Sequence, residues 1–274
     1  MKLLGFIIVC LTGTFLLYGT SDLPDWGDPN SPASLHLSNH YIEKAVAETE
    51  VPNLVTAVLA DYRGFDTMFE TAVVFTAGLA CFLLLRDFKP KEDRYYRHVP
   101  TGVVLHFKDK ARQLRVGTEF EAVDKDWVPS DMVIKTVCRI LIPFIQIYAL
   151  YVVAHGDFSP GGGFQGGVIF GSSFILLAIS YNLKTLMKRV SEKFLGIFSA
   201  VGVLIYVGIG AIAMVMGGNF LDYSTLAPLL PVNPGHIRAL GMLGVEIGVG
   251  IAVMAVMAII YINIVSQGRH DEGL

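Results

Sequence analysis

A chain of 274 residues with 53% hydrophobic and only 16% charged side chains, and a mean hydropathy of +0.55, carries far more apolar surface than one soluble core of that length needs. It is an integral membrane protein. The net charge of −3 is near balance, and the basic residues sit in loops without an interleaved aromatic pattern, so there is no case for a nucleic-acid partner. Cys10, Cys81 and Cys138 lie far apart inside apolar runs, with no CxxC pair or Cys/His cluster; they read as buried thiols rather than as metal ligands or a disulfide framework.

Six apolar segments follow in chain order: Leu3 to Tyr18, Thr67 to Leu85, Val133 to Ala154, Gly162 to Ser180, Leu195 to Met216 and Ala239 to Val265. Each approaches the roughly 20 residues that cross about 30 Å of hydrocarbon at 1.5 Å per residue. The expected fold is therefore an all-α integral membrane protein with about six transmembrane helices. The first segment, with Lys2 ahead of it, resembles a secretory h-region, but no small-x-small cleavage site follows at Gly19, Thr20 and Ser21, which favours a retained helix.

Loop charges set the expected orientation. Ser21 to Asn53 carries Asp22, Asp25, Asp28, Glu43, Glu48 and Glu50 against Lys44 alone, which places it outside. Arg86 to Asp131 holds Arg86, Lys89, Lys91, Arg94, Arg97, Lys108, Lys110, Arg112, Arg115 and Lys125, and the loop Tyr181 to Phe194 adds Lys184, Lys188, Arg189 and Lys193. Both are expected in the cytoplasm. The loop Gly217 to Ile237 has no lysine or arginine, and Arg269 follows the last span, so both termini are expected in the cytoplasm as well.

The long basic loop divides the chain into a two-helix module over residues 1 to 90, a linker over 91 to 130 and a four-helix module over 131 to 274. The linker is mixed in charge and broken by Pro90, Pro100 and Pro129, as expected of a surface segment with at most short elements such as Gly102 to His106. No internal repeat appears, so an inverted-repeat transporter within this chain alone is not supported.

Polar residues in and beside the membrane carry the functional signal. The run His155-Gly-Asp-Phe-Ser-Pro-Gly-Gly-Gly-Phe-Gln-Gly-Gly167 joins two spans with a histidine, an aspartate and six glycines, where backbone groups need packed neighbours or water around them. Gly162, Gly163, Gly166, Gly167 and Gly171 recur at four-residue spacing, which lets helices approach closely, and Pro160 with Gly161 makes the turn. A phosphate loop is excluded by the lack of a following Gly-Lys-Ser or Gly-Lys-Thr and of a preceding strand. Gly241, Gly244 and Gly248 form a similar small face in the last span.

At the outer mouth of the second span stand Asp61, Arg63, Asp66 and Glu70, with Asp66 and Glu70 four residues apart and so on one helix face. They suit a proton or cation relay; equally, Asp66 can cap the helix while Arg63 pairs with Asp61. Asn53 to Ala60 is too short to span and is expected along the surface or as a half-helix broken at Gly64. In the third span Lys135 and Arg139 share a face near the cytoplasmic side, with Gln146 on roughly the same face; Lys135 can snorkel, whereas Arg139 lies about 6 Å deeper and suits pairing with a partner's carboxylate. His155 with Asp157 can pass protons, or His155 can simply bond the turn's backbone. Glu246 is a carboxylate in an apolar helix with no basic residue between Ala239 and Val265. Ionised at the bilayer centre it costs roughly 2.5 to 3.5 kcal/mol or more, so it is expected to be protonated or cation-bound.

Two segments resemble a known family. Asn53-Leu-Val-Thr-Ala-Val-Leu-Ala-Asp-Tyr-Arg-Gly-Phe-Asp-Thr-Met-Phe-Glu70 is similar to the carboxy-terminal part of the large MrpA-type component of Mrp sodium/proton antiporters and to the MbhE-type component of membrane-bound hydrogenases. Lys135-Thr-Val-Cys-Arg-Ile-Leu-Ile-Pro143, the run from His155 to Gly167, and Gly244-Val-Glu-Ile-Gly-Val-Gly250 resemble the MrpB-type component of the antiporter. The resemblance implies a fusion of two formerly separate components. It further implies a non-catalytic membrane subunit in the ion-translocating half of a complex related to respiratory complex I, a multi-subunit antiporter or a hydrogenase-like assembly in the prokaryotic cell membrane. Its partners would be the other membrane subunits and the lipid bilayer, with sodium and protons as transported ions and no cofactor. A purely structural subunit that packs and assembles its neighbours is the alternative. A self-contained membrane enzyme is the weakest option, since no ligand cluster, nucleophile motif or cofactor fingerprint is present.

Overall fold

The computed structural model describes residues 2–85, 94–107, 119–123, 131–229 and 232–266. Nine α-helices run through them. These are α1 Lys2–Thr20, α2 Ser38–Thr49, α3 Leu54–Thr56, α4 Gly64–Leu85, α5 Met132–Ala154, α6 Gly163–Ser180, α7 Leu183–Arg189, α8 Glu192–Val215 and α9 Pro234–Ser266. Six are long and apolar enough to cross a membrane: α1, α4, α5, α6, α8 and α9. Two compact units divide the chain, Met1–Ala45 and Val46–Leu274, with the boundary inside α2.

Local chemistry sets the helix ends. Asp131 caps α5 by accepting from Val133 N–H at 2.7 Å, Asn182 caps α7 through Thr185 N–H at 2.8 Å, and Ser191 caps α8 through Phe194 N–H at 3.2 Å. Within the spans, threonine hydroxyls bond back to carbonyls one turn earlier: Thr12 to Ile8, Thr71 to Thr67 and Thr76 to Ala72. This satisfies hydroxyls within apolar helices, whether exposed as at Thr12 and Thr76 or buried as at Thr71.

In the first unit the apolar helix α1 is bare, since none of its span is buried within the chain. Cys10 is accordingly exposed and Cys81 only half-buried; of the three cysteines expected to be buried, Cys138 alone is. Apolarity demands removal from water, and lipid or a neighbouring protein meets that demand as well as this chain's own core does.

In the second unit α9 is the axis. It packs against α4, α6 and α8 and is the most buried span. At 33 residues and about 50 Å it exceeds the membrane's hydrocarbon thickness. Two hydrophobic cores lie along it. One gathers Val249 and Val253 with Val51, Ala60, Tyr206, Leu221, Tyr223, Met242 and Val245; the other gathers Ala255, Ala258, Ile259 and Ile262 with Cys138, Leu177, Leu186 and Leu195. Glycines set the helix spacing. A Cβ on Gly167 would stand 2.7 Å from the Gly250 carbonyl oxygen, one on Gly202 2.5 Å from that of Gly248, and one on Gly171 3.0 Å from Met257 Cβ.

The described part of the linker holds a three-stranded antiparallel sheet in the order β2-β1-β3, formed by β1 Arg94–His98, β2 Val104–Phe107 and β3 Phe120–Val123. Strand β2 overlaps the short element expected at Gly102 to His106; the two strands beside it have no apolar alternation to announce them. Cross-strand ring contacts hold them instead, Tyr95 stacking on His106 at 4.4 Å and His98 tilting on Phe120 at 5.0 Å. The basic residues Arg86, Lys89, Lys91, Lys108, Lys110, Arg112, Arg115, Lys125 and Arg269 lie outside the described residues.

Candidate functional site

Three irregular stretches of backbone meet beside the first half of α9. The first is α3, continued by a π-helical turn over Ala57–Tyr62 and broken at Arg63, whose φ of −121° ends it one residue before the expected Gly64. The second is the turn over residues 155–162. The third is a 3-10 helix, Tyr223–Leu229. Irregular backbone at membrane depth survives only where other groups satisfy it, and each stretch has such groups. Buried Tyr223 donates its hydroxyl to the Ala60 carbonyl at 2.7 Å, and buried Tyr206 donates to the Gly64 carbonyl at 2.9 Å. Burial pushes the Tyr223 hydroxyl well above the ordinary tyrosine range, so it remains a donor.

Glu246 projects from α9 into the glycine turn. A Cβ on Gly156 would stand 2.5 Å from Glu246 Oε2, one on Gly162 would stand 2.8 Å from Oε1, and one on Gly163 would overlap the Glu246 carbonyl oxygen. At Gly162 the backbone also takes φ +126°, which side-chain-bearing residues rarely adopt. Gly162, expected to serve helix packing, therefore makes room for the carboxylate, while Gly163, Gly166, Gly167 and Gly171 meet α5 and α9 directly. Glu246 Oε2 is fully buried and has no hydrogen-bond partner among the described residues.

A cavity of ≈ 220 Å³ opens beside this carboxylate, and its polar lining comes from Thr56, Thr67, Glu70, Thr71, Gln165, Tyr206 and Glu246. Glu70 lies two turns into α4 and is exposed on the chain's surface, so the cavity reaches from the cradled Glu246 to a carboxylate that faces outward. Carboxylate, amide and hydroxyl oxygens are hard donors of the kind that hold alkali cations or relay protons.

The remaining sequence candidates separate into those near this cavity and those far from it. Arg63 does not pair with Asp61: its Nε donates to Asp66 at 2.7 Å, in the first turn of α4, where an acid favours the helix dipole. Asp61 is claimed by Arg238, whose Nε and Nη2 donate to its two carboxylate oxygens at 2.7 and 2.9 Å while Nη1 donates to the Glu48 carbonyl at 3.2 Å. Tyr62 donates to the Glu48 carboxylate, and burial together with that carboxylate holds its hydroxyl well above the usual range. The helix α9 begins five residues before the expected Ala239, so Arg238 lies inside it. Arg238 is the partner of this cluster that the sequence did not point to, and its signal was an arginine standing alone at the end of a loop otherwise free of lysine and arginine.

His155 and Asp157 are not joined. The His155 ring stacks on Tyr151 at 4.1 Å, and the imidazole whose charge bears on Asp157 is His236. Burial raises the Asp157 carboxyl above the ordinary aspartate value against the pull of His236, and its Oδ1 is buried without a hydrogen-bond partner among the described residues. Lys135 and Arg139 stand near the other end of α5, about 30 Å from its His155 cap in the case of Lys135. Lys135 Nζ lies 6.0 Å over the Tyr181 ring, and Arg139 is exposed. Gln146, two turns further along α5, donates to buried Ser173 on α6 at 3.1 Å.

Fold and site together define a multi-pass helical membrane subunit whose intramembrane acids meet at irregular backbone. Family models match it in two places: residues 133–259 fit MnhB, a domain related to that component of Na+/H+ antiporters, and residues 29–99 fit MbhE, a component of MBH. Antiporter subunit mnhB2 of Staphylococcus epidermidis is 31% identical over 140 residues, spanning 51% of this chain and 97% of that protein. A probable K(+)/H(+) antiporter A/B protein of Rhizobium meliloti is 26% identical over 228 residues, 81% of this chain but only 22% of the length of that relative. Among solved structures, a chain of the membrane-bound sulfane sulfur reductase, an archaeal respiratory membrane complex, covers 96% of this chain and 97% of its own at 25% identity and a TM-score of 0.59. A chain of the Mrp complex from a Dietzia species shares the fold over 97% of this chain and 26% of its own, at 23% identity and a TM-score of 0.58. The chain belongs to the family of membrane subunits related to MnhB.

Proposed function

We propose that this protein is a non-catalytic subunit of a multi-subunit cation/proton antiporter, or of the antiporter-like part of a complex related to respiratory complex I, and that Glu246 and Glu70 pass sodium ions or protons through the cavity they share. The observation that carries the reading is the cavity itself: one acid comes from the MbhE-like segment, the other from the MnhB-like segment, and neither half forms the site alone. The same division supports a fusion of two components joined by the linker over 91–130. Other membrane subunits of the assembly cover exposed Glu70 and the bare helix α1, and the balance of loop charges supports cytoplasmic termini. Sodium ions and protons are the cargo, and the protein carries no cofactor of its own.

Glu246→Gln and Glu70→Gln test the reading in the assembled complex, reconstituted in vesicles with a pH-sensitive dye. Each is expected to lower sodium-driven proton exchange at least about tenfold, or about 1.4 kcal/mol in barrier, while subunit recovery stays at the wild-type level. Normal exchange in both variants would leave the purely structural role in its place.

A further inference from the structure

We infer that Asn53 is the positioning residue that holds the glycine turn closed around Glu246, an inference that rests on the ion-carrying role given to that acid. Asn53 takes an extended backbone conformation just before α3, and its side chain works in two directions. Its Oδ1 accepts from Val55 N–H at 3.1 Å, an ordinary helix cap. Its Nδ2 donates away from the helix, to the Gly156 carbonyl at 2.7 Å and the Ser159 carbonyl at 2.9 Å, with Thr56 Oγ1 at 3.0 Å.

Its backbone N–H donates to the Asp157 carbonyl at 3.0 Å, and buried Thr56 adds a bond from Oγ1 to the Gly156 carbonyl at 2.7 Å. Three carbonyls of one turn, those of residues 156, 157 and 159, are thus bonded to Asn53, and the turn they belong to is the one whose Gly156 and Gly162 flank the Glu246 carboxylate. The amide orientation follows from these partners, because the reverse would set Oδ1 against two carbonyl oxygens. A cap alone requires an acceptor; only an amide also supplies the donors.

Asn53→Ser separates the two duties. Serine caps about as well as asparagine but is too short to reach the turn. In the whole complex, purified with its own membrane subunits, hydrogen–deuterium exchange of the segment 156–163 is expected to quicken in Asn53→Ser, and more so in Asn53→Asp, which sets a carboxylate against carbonyl oxygens. In vesicles, with sodium chloride and potassium chloride as the probes, the half-saturating cation concentration is expected to rise about tenfold, as misplacement of a site by a fraction of an ångström does, with maximal rate reduced far less. Wild-type exchange of the segment in both variants overturns the inference. So does quickened exchange with unchanged half-saturation in a complex that Glu246→Gln disables. If Glu246→Gln leaves transport intact, the parent reading fails, a result distinct from either.

Discussion

The two halves of α9 are both largely apolar, yet they meet different surroundings. Its second half packs Ala255, Ala258, Ile259 and Ile262 into an apolar core with residues of α5, α6, α7 and α8, and its buried polar side chains, Asn263 and Ser266, stand at the helix end, where Asn263 Nδ2 donates to Glu192 at 3.1 Å. Its first half meets the π-helical turn, the glycine turn and the 3-10 helix, and there stand Arg238, Glu246, Tyr206, Tyr223 and the cavity. Between Glu246 and Asn263, a distance of about 25 Å along the axis, α9 presents apolar and glycine residues only, apart from the hydroxyl of Tyr261. The difference teaches that polar chemistry in this protein follows irregular backbone: where the hydrogen-bond ladder is broken, neighbours must supply donors and acceptors, and an acid can be held among them. The described part of the chain therefore builds a polar site in one half of the bundle and an apolar core in the other.

The sharpest way to break that contrast is to place bulk where both halves depend on contact. Gly163 lies at the junction, where α6 meets the α9 backbone at Glu246 itself. Gly163→Ala is expected to cost about 3 kcal/mol of stability by overpacking, seen as a lowered unfolding temperature and loss of subunits in mild detergent. Gly196→Ala, whose new methyl meets nothing within 4 Å, is expected to cause neither and to raise the unfolding temperature slightly through helix propensity. A gain in Gly163→Ala equal to that in Gly196→Ala would mean that helix propensity, which favours alanine at both positions, outweighs contact.

Much of this arrangement is legible in the sequence, and the exceptions share a cause. The six spans follow from apolar runs long enough to cross a bilayer, and the glycine-rich turn announces itself through residues that hydrocarbon alone does not tolerate. Hydrophobic periodicity cannot show which acid meets which base across long sequence separations. Asp61 is followed closely by Arg63, yet it pairs with Arg238, 177 positions away, because the break at Arg63 turns the arginine toward Asp66. Nor does composition reveal that Gly156 and Gly162 make room for a carboxylate rather than for another helix. The sheet formed by β1, β2 and β3 leaves little trace in the pattern because its strands are only four or five residues long.

Arg238 offers a milder test of the polar half. Its bond to Asp61 fastens the π-helical turn to α9, with both side chains largely but not wholly buried. Arg238→Gln leaves Asp61 without its partner and is expected to cost about 2 kcal/mol, less than the roughly 3 to 5 kcal/mol of a fully buried pair. Adding Asp61→Asn removes the stranded charge and is expected to recover part of that loss, so a double-mutant cycle on thermal unfolding should show favourable coupling between the two sites. Strict additivity would mean that the ion pair does not fasten the turn.

The smallest expected effect concerns Asp157, in the glycine turn itself. Burial raises its carboxyl above the ordinary value of 3.8, with His236 opposing, so the folded protein holds this proton to a higher pH than the unfolded chain does. Stability is then greatest below the ordinary aspartate value and is lost as pH rises through the raised one, where the half-buried carboxylate must ionise without a partner for Oδ1. Asp157→Asn cannot ionise. Its unfolding temperature in the assembled complex should slightly exceed that of wild type at neutral pH, and the gap should close as the buffer is brought down toward pH 3.8. A gap that widens on acidification would mean instead that ionised Asp157 stabilises the turn, through His236, and that the polar half of the bundle is held by charge rather than by hydrogen-bonded backbone.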